Sequence, residues 1–224
     1  MNNLYQIAEI YNEYAKRVIH WSSVRPKFIR NSEIVLAFMP LLFILVSTVI
    51  GFFRPGYSLV QDTISTLVNG RFGSVLTLAL YLLAASVSVL AIKLFGKPGT
   101  SLKYKLGIGL FSLSIVGIVI VGLHPTDIPG HATTTGAIHI ATTASLIFLV
   151  PIACFMIAPG LQKAYRSRWL SAYTKSAGVM QLVLIAGIMF LSLDNLGWIG
   201  LAERIIMLNG LVWMQIANVH TLLE

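Results

Sequence analysis

Apolar residues fill six long runs along this chain, at roughly 34–53, 74–95, 106–123, 137–158, 176–193 and 197–219. Each run is long enough, or nearly so, to cross a hydrocarbon core about 30 Å thick at about 1.5 Å of rise per residue. The pattern predicts six membrane helices. The fifth run is short and the sixth contains Glu203 and Arg204, so these two depart most from a plain span. Pro40 and Pro151 fall inside the first and fourth runs. Each predicts a kink, because proline removes a backbone donor.

Two polar segments carry patterns of their own. Leu4, Ile7, Tyr11, Tyr14, Val18 and Trp21 recur every three or four residues, flanked by Lys16 and Arg17. That stripe predicts an amphipathic interfacial helix over residues 1–30, followed by a six-span membrane domain over 31–224. The N-terminal segment is too polar for a cleavable signal peptide. Between runs one and two lies "RPGYSLVQDTISTLVNGRFG". Its Pro-Gly pair sets a turn, and Asp62 is placed to cap a short helix carrying Ile64, Leu67 and Val68.

Composition agrees with a membrane solvent. Of 224 residues, 56% are hydrophobic and 11% charged, where a soluble domain is about one quarter charged. The reading is an all-α integral membrane protein. A net charge of +8 does not call for nucleic acid, because basic residues gather at the cytoplasmic ends of spans. Lys16, Arg17, Arg25, Lys27 and Arg30 precede the first run. Lys93, Lys97, Lys103 and Lys105 lie around the second connection, and Lys163, Arg166, Arg168 and Lys175 around the fourth. The alternate connections hold only Arg54 and Arg71. Both termini are therefore expected in the cytoplasm, in the plasma membrane of a prokaryote, with Asp194 and the loops at 54–73 and 124–136 outside. Cys154 is the single cysteine and sits in an apolar run, so it reads as core.

Candidate chemistry gathers near the outer ends of the runs. "GLHPTDIPGHATTTGAIH" packs His124, His131, His139 and Asp127 into one connection. Asp127 follows the proline that stops the third run, and reads either as a turn residue or as a general base. His139 reads as a bonded histidine or as an acid/base group, since imidazole titrates near neutral pH. Three histidines can hold zinc, but their spacing matches no dense metal signature. The expectation is no cofactor, with zinc on His124, His131 and His139 as the alternative. Glu203 and Arg204 lie roughly 8 Å along the helix from Trp198, where ionisable groups persist by pairing, facing a cavity or doing chemistry. Adjacent helical residues diverge, so each should meet another segment: Arg204 with Asp62 or Asp127, and Glu203 with His139. Ser65 is a nucleophile only with a base beside it. Glycines 107, 109, 117, 122, 178 and 187 read as close helix approaches.

Four stretches, "RPGYSLVQDTIS", "GLHPTD", "TTTGAIH" and "GLAERI", resemble a bacterial and archaeal membrane family known as domain of unknown function 998. The resemblance covers roughly residues 34–219. It implies a six-span bundle and marks Asp62, Ser65, Pro125, Asp127, His139 and Arg204 as family-pattern residues. The family more often has phenylalanine where this chain has His124, which weighs against the three-histidine site. The family name implies no activity.

Two readings follow. One is a membrane protein with an outward-facing polar pocket for a lipid or small amphiphile, in a binding, sensing or accessory role, with Asp62, Ser65, Glu203 and Arg204 as ligand contacts. The alternative is a membrane-embedded enzyme with hydrolase-like chemistry on a lipid-like substrate at the outer leaflet, with His139 or Asp127 as acid/base and Arg204 on an anionic group. A haem carrier is disfavoured, because His220 lies at the opposite end from His124 and His139. Nothing suggests a transporter with broken-helix repeats.

Overall fold

A computed structural model describes residues 27–97, 101–128, 130–192 and 197–223. The expected interfacial helix at 1–30 lies almost wholly outside the described residues, as does Asp194. The chain divides into two compact units, Met1–Val35 and Leu36–Glu224. Helix α1 is Lys27–Ala37; the rest of the description concerns the second unit.

Among the described residues every regular element is a helix. After α2 (Met39–Phe53) comes a short 3-10 helix, Ile64–Asn69. Then follow α3 (Gly73–Phe95), α4 (Leu102–Leu123), α5 (Thr134–Ala164), α6 (Arg168–Ser192) and α7 (Ile199–Leu223). Five helices, α3 to α7, are long and apolar enough to span on their own. A sixth span requires residues 31–37 and 39–53 to count together. Pro40 is the reason. It sits in the first turn of α2, where its missing N–H is no loss, so it begins a helix where the sequence suggested a kink within one. Pro151 and Pro159 both lie inside α5. The helices of the fourth and fifth runs outlast them, because polar ends such as Lys163 and Arg168 continue the helix beyond the apolar stretch.

Sequence neighbours pack as spatial neighbours from α2 through α7, and α7 closes the ring against α2 while also touching α3. Connections alternate between two ends. One end carries loops 54–72 and 124–133 and the start of α7; the other carries the basic connections. The register of α4 against α5 is set by bare backbone. Gly107 faces Ile157 and Met156, Gly117 faces Leu146, and Gly160 receives the ring of Tyr104. Gly122 takes the ring of Tyr81 from α3, and Gly178 approaches Cys154. Gly109 and Gly187 meet nothing nearby, so they are not approach points.

Where lipid tails offer no hydrophobic drive between helices, packing and polar links hold a bundle together. Phe111 meets Trp213 edge to face at 5.4 Å. The Trp213 indole N–H donates to Thr174 at 3.0 Å. Asn209 donates to Gln181 at 2.7 Å and to the Ala177 carbonyl at 3.1 Å. Asn218 donates to Ser86 at 3.2 Å.

Candidate functional site

The "RPGY" turn sends loop 54–72 back across the start of α7, where backbone and side chains join. The Leu201 amide donates to the Val60 carbonyl at 2.9 Å. Gly200 permits this approach, since a methyl group there would overlap the Asp62 backbone. One α7 turn on, the Arg204 guanidinium donates to the carbonyls of Leu59 (2.9 Å), Asp62 (2.9 Å) and Gly200 (2.8 Å). Its other nitrogen donates to the Tyr57 hydroxyl. That hydroxyl in turn donates toward the carbonyls of Asp62 and Thr63. Burial pushes the Tyr57 phenol above its usual range, against the opposing pull of Arg204. Arg54 reaches the Thr66 carbonyl.

Arg204 thus meets the Asp62 residue the sequence suggested, but through its main chain. The Asp62 carboxylate instead accepts from the Ser58 amide at 2.7 Å and closes its own turn. The cap of the 3-10 helix comes from far away: Glu203 accepts from the Ile64 amide at 2.5 Å. Glu203, not Asp62, satisfies that helix start, and the expected Glu203–His139 pairing is replaced by this backbone bond. The Ser65 hydroxyl lies 3.0 Å from that of Thr63.

Asp127 does the same service for α5. Its carboxylate accepts from the Thr133 hydroxyl at 2.6 Å and the Thr133 amide at 3.1 Å. Thr133 is the N-cap, accepting from the Gly136 amide at 3.1 Å. A side chain on Gly136 would overlap the carboxylate. The two Thr133 bonds, hydroxyl first, hold the Asp127 carboxyl below its usual range. His139 is buried and its Nδ1 donates to the His124 carbonyl at 2.7 Å. A carbonyl only accepts, so Nδ1 carries the proton and Nε2 is the open pole. His124 serves through its backbone and His131 is exposed. Among the described residues no three His, Cys, Asp or Glu side chains come together as a metal site; the three-histidine zinc alternative has no geometry behind it.

Beneath the 3-10 helix, the bundle holds a partly open cavity of about 170 Å³. Its walls are mostly apolar, among them Phe43, Leu80, Ile118, Leu146 and Met214. Ser65, His139 and Glu203 line it near the loop end, and Gln181 lines it as well. Asp62, Asp127 and Arg204 do not line it. Tyr57 and Gln181 went unnoticed in the sequence. Only the "RPGY" turn and a lone amide in an apolar run hinted at them.

An α-helical membrane bundle with a polar-capped apolar cavity is the class these features define. Residues 38–220 match the model of a family described as protein of unknown function (DUF998), and the chain belongs to that family. Neither the curated proteins nor the solved structures contain a match.

Proposed function

We propose that this protein holds a lipid or small amphiphile in the cavity beneath the 3-10 helix, in a binding, sensing or accessory role. Both termini are cytoplasmic in this reading, and the cavity lies toward the outer face of a prokaryotic plasma membrane. The observation that carries it is the cavity itself: apolar walls with Ser65, His139 and Glu203 at one end, the usual form of a small-molecule site. The basic connections at the opposite end support the orientation.

Gly210 supplies the test. It lines the cavity, and a Cβ there meets no neighbouring atom, so Gly210→Leu fills space without displacing the bundle. Native mass spectrometry of wild type in mild detergent should find one retained amphiphile per chain, lost in Gly210→Leu with the melting temperature kept. An empty wild type, or a variant that keeps the ligand, overturns the reading.

A second reading, acid/base catalysis on the same ligand, draws on the open Nε2 of His139. It expects the retained ligand to change mass on incubation with wild type and not with His139→Gln.

A further inference from the structure

The polar end of the cavity is unequal in its hydrogen-bonding chemistry. In the neutral form, His139 commits its one ring proton to the His124 carbonyl, which leaves Nε2 as an acceptor on a residue that lines the cavity. Glu203 gives one carboxylate oxygen to the Ile64 amide and still lines the cavity. The two stand at one level. His139 is about 7.5 Å and Glu203 about 6 Å along its own helix from the shared loop end.

Among the described residues no lysine or arginine lines the cavity. The nearest cation in sequence, Arg204, is turned away onto the carbonyls of Leu59, Asp62 and Gly200 and the Tyr57 hydroxyl. An anionic head would therefore enter the cavity beside the Glu203 carboxyl, with no cation of the lining to bond it, which is costly. A head with N–H or O–H groups would satisfy both acceptors. The free amide protons of Gln181 lie deeper. Gln181 bonds Asn209, about 9 Å along α7 from Glu203; nearer the head, the hydroxyls of Ser65 and Thr143 are neutral and can accept from a donor head as well as donate.

We infer that the cavity selects an amphiphile whose head donates hydrogen bonds, a hydroxyl or an amine, and rejects carboxylate and phosphate heads. This rests on the proposal that the cavity holds an amphiphile, and it removes Arg204 as an anion anchor.

The experiment uses three probes with one tail, n-decanol, n-decylamine and n-decanoate, on the full chain in mild detergent near neutral pH. Gly210→Leu gives the baseline for binding outside the cavity. Decanol and decylamine should each bind about tenfold or more tighter than decanoate, as bonds to charged or buried acceptors imply. Glu203→Gln keeps an oxygen for the Ile64 amide and should erase any advantage of decylamine over decanol. Decanoate binding as tightly as the other two overturns the head rule and leaves the amphiphile reading standing. No probe binding above the Gly210→Leu baseline overturns both.

Discussion

Asp127 is held by two bonds from a single residue, Thr133, whose hydroxyl also caps α5. The arrangement titrates. Its folded-state pKa lies below the ordinary value of 3.8, so the stabilisation is complete above that value and is lost as pH falls through the folded one. Wild type should melt above Asp127→Asn at about pH 6, with the gap closing as acid takes the pH below the Asp127 range. Melting curves in detergent across that range check this; a gap independent of pH would mean the carboxylate charge is irrelevant. The turn role of Asp127 was legible in "HPTD", because an aspartate after a helix-stopping proline finds backbone donors nearby. That Thr133 supplies both bonds was not, since it depends on Gly136 leaving room for the carboxylate.

At the scale of elements, loop 54–72 and α7 behave as one piece. Arg204→Met would leave the Leu59 carbonyl without its donor and take the guanidinium bonds from the Asp62 carbonyl and the Tyr57 hydroxyl. A loss of about 2–3 kcal/mol is expected, seen as a lower melting temperature and faster tryptic cleavage within 54–72. Cleavage at the wild-type rate would show that other contacts hold the loop. Sequence placed the five long helices and the short helix after Asp62, because apolar runs and turn residues are local signals. It chose the wrong cap. Asp62 is adjacent and Glu203 is 139 residues from Ile64, a separation no local pattern can bridge. The disruption expected at Pro40 is present, as a break at Phe38 between two helical pieces and not a bend within one, because Pro40 inside an apolar run reads the same whether it bends a helix or starts one.

The second unit is a ring of antiparallel helices, α2 to α7, with the Arg204 and Asp127 clusters at one end. The charge asymmetry of the connections was readable from composition alone; the cavity was not, because its lining draws on α2 to α7 and the 3-10 helix together. Cys154 is buried, so wild type serves as an unlabelled control for mapping orientation. On intact cells a membrane-impermeant maleimide should label His131→Cys, at an exposed position of the 124–133 loop, but label the exposed Lys103→Cys only after permeabilisation. The reverse pattern would invert the proposed orientation.

Arg204 reads only main-chain oxygens in loop 54–72, with Tyr57 as its one side-chain contact there. The course of the loop is thus written partly on α7, alongside the turn closed by the loop's own Asp62 carboxylate. Ile64, Ser65 and Val68, which face the cavity, become interchangeable panels in a fixed frame. A bundle built this way can be given a new ceiling, and a new guest, by exchanging three residues while its scaffold stays the same.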